Sequence, residues 1–164
     1  MSAVKKPHVP ASIWSNPIHF AAFGFGAGAI KVAPGTFGTL VGIPFYLLLQ
    51  HLPLTGYLAV TAALFALGIW LCHVTTHDLG VHDHPGIVWD EIVGYLVTMA
   101  AAPPGWLWVL IGFGLFRLFD IWKPWPIHLL DRHVSGGIGV MIDDVVAGVY
   151  AWVVMYGVVV VVGV

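Results

Sequence analysis

Charged side chains are scarce in this chain. Lys and Arg number 6, Asp and Glu 8, and together they make up 9% of 164 residues. A soluble domain carries roughly 25%. Hydrophobic residues reach 59%, more than a soluble fold of this length can hide, so the excess is expected to face lipid. Basic excess is also lacking: the formal net charge is −2 with histidine neutral, which leaves no electrostatic case for nucleic acid. Cysteine is nearly absent. Cys72 stands alone, so no internal disulfide can form, and it reads as a small apolar residue inside a helix. A clean leader pattern is missing too. Lys5 and Lys6 resemble an n-region and residues 18–30 a short apolar region, but Pro7, Pro10, Trp14, Asn16 and Pro17 lie between them. A cleaved signal peptide is therefore not expected.

Glycine (20) and tryptophan (8) are plentiful. Glycine is common in membrane helices, and tryptophan prefers membrane interfaces. Residues 1–17 read as a polar, proline-punctuated arm and residues 18–164 as one membrane domain. Residues 18–30 are apolar but shorter than the roughly 20 residues of a full span, so a short interfacial or re-entrant helix is expected. Gly24, Gly26 and Gly28 there suit close packing better than a dinucleotide fingerprint, because no strand precedes them.

A turn at 31–39 leads into an apolar run over 40–52. Pro53 and Thr55–Gly56 reverse the chain. Residues 57–72 form the next span, and a histidine-rich polar stretch follows over 73–90. The apolar run 92–119 is too long for one crossing and is broken at Pro103–Pro104–Gly105. Trp106 and Trp108 follow the break, where an aromatic belt is expected. Residues 120–144 are polar, and 145–164 form the last span. The expected fold is an all-α polytopic bundle with about five transmembrane helices.

The charges fall on this map unevenly. The tips at 53–56 and 103–105 carry none, whereas every Asp and Glu lies at 78–91, 120, 131 or 143–144. Lys31, Arg117, Lys123 and Arg132 accompany them. Counting spans puts all these segments on one face, and the positive-inside rule makes that face cytoplasmic. Carboxylates at a membrane edge are costly and mark function.

Four constellations lie on that face. Trp89-Asp90-Glu91 places paired acids at a helix start, as a dipole cap or as ligands for a hard metal. Arg117-x-x-Asp120-x-x-Lys123 puts two cations and an acid on neighbouring turns. They suit either a phosphate grip or a structural ion pair. Gly136-Gly137-x-Gly139-x-Met141-x-Asp143-Asp144 reads as a glycine-rich, anion-accepting loop with acids in the first turn of the next helix, or as a flexible loop with an acid cap. Pro34-Gly35-Thr36 enters a helix with Thr36 near its cap, where a phosphate can be met. His73 and His77 have zinc-like i, i+4 spacing, but with His82 and His84 they read as neutral interfacial histidines.

Taken in order, PGTFGT at 34–39, GVHDHPGIVWDEIVG at 80–94, FRLFDIWKPWPI at 116–127 and GGIGVMIDDVVAG at 136–148 resemble the phosphatidylglycerophosphatase A family over roughly residues 14–150. The resemblance implies a Mg²⁺-dependent phosphatase of the bacterial inner membrane that takes phosphate from the phospholipid phosphatidylglycerophosphate. It implies a catalytic set of Asp90, Glu91, Asp120, Asp143 and Asp144. Asp83, Asp90, Glu91, Asp143 and Asp144 would hold metal, and Thr36, Arg117, Lys123, Gly136 and Gly137 would bind phosphate. Some relatives carry histidine at the position of Ser135, whereas here the histidine is His133.

On the residues alone, attack by water and a phospho-aspartate both remain open. Cys72 lacks a Cys-x5-Arg context, so a cysteinyl-phosphate route is excluded. A divalent-cation transporter using the same acids is the alternative class, disfavoured because residues 57–72 and 145–164 carry no ionisable path. A CDP-alcohol-type phosphotransferase would need a longer acidic signature. Oligomeric state is not encoded in these patterns.

Overall fold

The computed structural model describes residues 9–81 and 83–163, except for the side chains of 131–133. Lys5, Lys6, His82 and the side chains of Asp131, Arg132 and His133 thus lie outside the described residues. Within them the chain is all-helical: α1 (Pro17–Ala22), α2 (Pro34–Leu49), α3 (Leu54–Leu79), α4 (Trp89–Thr98), α5 (Trp106–Trp122), α6 (Ile127–His133) and α7 (Gly136–Val162).

The N-terminal segment differs from the expected single short helix over 18–30. Asn16 caps α1 by accepting the Ile18 N–H at 2.9 Å, with Pro17 in the first turn. Gly24, Phe25 and Gly26 then all take positive φ, which ends the helix and leaves only a 3₁₀ turn at Ala27–Ala29. The segment folds inward. Ala22 and Phe23 are fully buried, and the Val88 N–H donates to the Ala22 carbonyl at 2.9 Å. Ile13 of the supposed polar arm is also fully buried. His19 ties this region to α3, with its ring nitrogens 2.9 Å from Ser12 Oγ and 3.1 Å from Asp78 Oδ2.

Two helices, α3 and α7, are long and apolar enough to cross a membrane. At 1.5 Å per residue each is about 40 Å long, against a hydrocarbon core of about 30 Å. At 16, 10 and 17 residues, α2, α4 and α5 fall below the usual spanning length of roughly 20. The break between α4 and α5 falls where Pro103, Pro104 and Gly105 predict it. Helix starts were harder to read. Pro34-Gly35-Thr36 is the first turn of α2 rather than a preceding turn, because proline fits the first helical position, where its missing N–H costs nothing.

Helix α4 is the centre of the bundle. Ile92, Val93, Tyr95 and Leu96 are fully buried, and α2, α3, α5 and α7 surround them. Buried polar groups are satisfied across helices: Tyr57 OH donates to the Leu96 carbonyl at 2.6 Å and Tyr95 OH to the Val109 carbonyl at 3.2 Å. Gly94 and Gly148 let α4 and α7 touch backbone to backbone, since a Cβ on Gly148 would sit 2.5 Å from the Gly94 carbonyl oxygen. The starts of α2, α4 and α7 meet the ends of α3 and α5 at one end of the bundle. At the other, Gln50, Leu54, Tyr57 and Ala101 line a shared pocket. Trp106 is 65% exposed near that second end, but Trp108 is 7% exposed and belongs to the core. The expected belt is thus one tryptophan there, not two.

Candidate active site and cation pocket

Four segments place the acidic residues. Asp90 and Glu91 open α4, where the helix dipole favours negative charge. Arg117 and Asp120 lie on the last turns of α5 and form an i, i+3 ion pair. Lys123 ends α5 in a left-handed conformation, φ 44°, which turns the chain so that Nζ reaches Asp143 Oδ2 at 2.7 Å. Asp83 comes from the connection between α3 and α4.

Asp143 and Asp144 lie well inside α7, whose first turn holds no acid. The expected glycine-rich loop is instead the opening of this helix. Gly137 lies so close to the Ile69 carbonyl and His73 that any Cβ would collide, and Gly139 lies equally close to the Val134 carbonyl. The glycines therefore let α7 seat tightly, which carries its acids inward to α4. Gly137 is a packing residue, and Gly136 borders an open groove with His73, Thr76 and His77. Neither lines the acidic pocket.

That pocket, about 70 Å³, is walled by Asp83, Asp90, Asp120, Lys123, Val134, Gly139, Val140, Asp143 and Asp144. Asp90, Glu91 and Asp144 each offer one oxygen, and the three oxygens lie within 4.8 Å of one another. Asp144 is only 3% exposed. Asp90 Oδ1, Glu91 Oε2 and Asp144 Oδ2 are buried with no hydrogen-bond donor. Burying a charge without a partner costs several kcal/mol. Glu91 Oε1 has Arg117 Nη1 at 3.9 Å, but Arg117 is shared with Asp120.

In and around the pocket, six carboxylates face the two cations Arg117 and Lys123, an excess of four formal negative charges. A phosphate could not enter such a field unaided. A hard divalent cation fits the site on two grounds: its donors are all carboxylate oxygens, and three of those oxygens lack any other partner. Among the described residues this is the one converging His, Cys, Asp and Glu group, and it contains no histidine. His77 is exposed beside Asp78, and His84 is buried with Nδ1 accepting the Gly86 N–H at 3.0 Å.

The structure thus brings Asp83, Asp90, Glu91, Arg117, Asp120, Lys123, Asp143 and Asp144 together. Thr36 sits half-buried in the first turn of α2, next to a residue not among the sequence-derived site residues. That residue is Gly35. A Cβ there would fall on Glu91 Oε1 and lie 3.0 Å from Arg117 Nη1. The glycine of the Pro-Gly-Thr motif was its only signal. The Lys123–Asp143 pair also went unforeseen, because the spacing suggested Asp120 as the partner of both cations.

Fold and site define an all-helical protein with a carboxylate-walled pocket at one end of its bundle. Residues 20–159 match the family model for phosphatidylglycerophosphatase A. The chain belongs to the phosphatidylglycerophosphatase A family and is a phosphatase. It is 50% identical to phosphatidylglycerophosphatase A of Escherichia coli over 143 residues, 87% of this chain and 83% of that one. It is 50% identical to the protein of the same description from Haemophilus influenzae over 145 residues, 87% and 89% of the two chains. A Bacteroides thetaiotaomicron protein provisionally described as a phosphatidylinositol-3-phosphatase is 41% identical over 138 residues, 79% of this chain and 86% of that one. No solved structure matches.

Proposed function

We propose that this protein hydrolyses the terminal phosphate monoester of phosphatidylglycerophosphate to give phosphatidylglycerol, with Mg²⁺ bound by Asp90, Glu91 and Asp144. The observation that carries the reading is a pair of facts about the same three residues: Asp90, Glu91 and Asp144 bring one carboxylate oxygen each to within 4.8 Å of the others, and each also holds a buried oxygen without a donor. Asp83 and Asp143 line the same pocket and would add carboxylates to the ion's surroundings. When bound, Mg²⁺ supplies Lewis-acid polarisation of the phosphate and a more acidic water.

The chain's own residues do the rest. Arg117, held by Asp120 and Glu91, presents a planar donor fork for the phosphoryl oxygens. Lys123 supplies a point charge at the pocket wall as negative charge builds on the leaving oxygen. Asp143 holds Lys123 at the pocket wall, and Asp120, itself on that wall, pairs with Arg117 behind it. Direct attack by water is the route we favour, because Asp120 and Asp143 are both engaged in ion pairs and so are poor nucleophiles.

The substrate choice rests on the two relatives that carry this name at 50% identity. We read the chain as a multi-pass protein of a bacterial inner membrane, supported by α3 and α7 as candidate spans, with α2, α4 and α5 taken as the shorter segments of a five-helix arrangement. Exposed Leu40, Leu48, Leu107, Leu110 and Leu118 on α2 and α5 support it. Lys31, Arg117 and Lys123 argue for a cytoplasmic pocket. A cation transporter is not favoured: conduction needs polar groups along a path, and here the acids gather at one end.

The test is phosphate release by purified protein in detergent with Mg²⁺ varied, across a panel of lipid phosphates differing in headgroup. Release that requires Mg²⁺ and is fastest with phosphatidylglycerophosphate is expected. Metal-independent release, or a preference for a phosphoinositide, would overturn the assignment.

A further inference from the structure

One surface feature adjoins the pocket and is not used by the chemistry above. At the end of α5, Ile121, Trp122 and Trp125 are 72%, 67% and 72% exposed. Lys123 lies between the two tryptophans in sequence yet turns the other way, with Nζ at the pocket wall beside Asp143. The apolar edge is held in place from beneath. Trp122 stacks on Phe119 with ring centroids 6.4 Å apart, and the Tyr150 hydroxyl donates to the Trp125 carbonyl at 3.3 Å.

Trp89 and Trp152 donate their indole N–H to the Leu64 and Ala100 carbonyls at 3.1 and 2.8 Å. Trp122 and Trp125, like the exposed Trp14, Trp70 and Trp106, have no such acceptor among the described residues, but they alone of these adjoin the acidic pocket through Lys123. A large apolar ring whose N–H must find an acceptor outside the protein suits the glycerol-ester zone of a bilayer, where apolar and wet surroundings meet. The edge is also continuous with the exposed apolar face of α5 at Leu118.

We propose that the Ile121–Trp122–Trp125 edge is the lipid-binding rim of the site. The two indoles engage the glycerol-ester region of the substrate phospholipid while Lys123, on the inner side of the same turn, meets its phosphate. The rim sets the depth of the pocket at the headgroup layer. It makes the enzyme selective for phosphate monoesters carried on long-chain lipid over the same headgroup on short, water-soluble chains. This deepens the phosphatase reading and rests on it for the identity of the bound lipid.

The experiment has two arms. In the first, kcat/KM is measured for long-chain and short-chain phosphatidylglycerophosphate with wild type, Trp122→Ala/Trp125→Ala and Trp122→Tyr/Trp125→Tyr. The long-to-short ratio should fall roughly tenfold in the alanine variant, the change that about 1.4 kcal/mol of lost binding gives. The tyrosine variant, with an apolar ring and a polar tip, should recover most of it, and Trp106→Phe at the far end should leave the ratio alone. In the second arm, the protein is reconstituted into phosphatidylcholine vesicles brominated at shallow or deep chain positions. The fluorescence lost on replacing both tryptophans with tyrosine should be quenched best by shallow bromines.

An unchanged ratio in the alanine variant, deep quenching, or quenching by neither together with a self-association that the variants abolish would overturn the proposal. The last result would make the edge a contact between copies of the chain. Should wild type hydrolyse neither lipid, the phosphatase reading fails, and the quenching arm still decides where the edge lies.

Discussion

Lys123 and Asp143 meet at 2.7 Å across the turn that joins α5 to α6 and α7. The lysine is part-exposed and the aspartate 7% exposed at its side chain, so the pair both satisfies a buried carboxylate and fixes the lysine at the pocket wall. Lys123→Gln removes the charge and leaves Asp143 without it. A charge-assisted hydrogen bond of this kind contributes about 1.5–3 kcal/mol. The variant should unfold earlier in detergent and lose phosphate release, and Lys123→Arg should restore the stability more fully than the activity.

Asp90, Glu91 and Asp144 each hold a buried oxygen without a donor, so the pocket without a cation is a liability for folding. Neutralising one of them relieves repulsion and desolvation. Asp144→Asn should therefore unfold at a higher temperature than wild type in chelator, while its activity falls by more than the roughly 10–100-fold typical when outer-shell partners of a metal are lost. Mg²⁺ at about a hundredfold excess over its Kd should stabilise wild type by about 2.7 kcal/mol and the variant by far less. A thermal-melt series with and without Mg²⁺ checks both signs.

Arg117 is gripped by Glu91 and Asp120 on a buried surface. Lysine carries the same charge but lacks the planar fork that can meet two carboxylates and a phosphate together. Arg117→Lys should lower kcat/KM by roughly tenfold, the equivalent of about 1.4 kcal/mol. Equal activity in the two proteins would mean that only charge matters there.

Gly35 has no room for a side chain, since a Cβ would meet Glu91 and Arg117. Gly35→Ala should cost about 1–3 kcal/mol by overpacking and should displace Glu91, lowering Mg²⁺ affinity as well as stability. Gly114, on the open face of α5, has nothing within 4 Å. Gly114→Ala should be neutral or stabilising by about 0.5–1 kcal/mol, with unchanged activity, which makes it the control.

Much of the site was legible in the sequence because charge is so rare in this chain that its position is informative. Arg117 and Asp120 were readable as a pair because helical spacing puts i and i+3 side by side. The convergence of Asp90 with Asp144 followed from counting spans between polar segments, and the structure brings the two together. The Pro103–Pro104–Gly105 break was equally plain, since neither proline can continue a helix.

What stayed hidden was tertiary. Gly136 and Gly137 read as a loop because glycine is the usual turn residue. Only the closeness of the Ile69 carbonyl explains why Gly137 is needed inside a helix. The inward folding of residues 18–30 depends on left-handed backbone at Gly24 and Gly26 and on Ala22 meeting Val88, none of which periodicity reveals. Trp108 looked like a belt residue because its neighbour Trp106 is one. Two steps along a helix turn a side chain by about 200°, and that was enough to bury it.

Direct metal binding tests the central claim best. Purified protein would be titrated with Mn²⁺, as a paramagnetic stand-in for Mg²⁺, and free ion followed by electron paramagnetic resonance. The account predicts tight binding in wild type that Mg²⁺ displaces, and its loss in Asp90→Asn and in Asp144→Asn. Undiminished binding in both variants, with phosphate release intact, would contradict it.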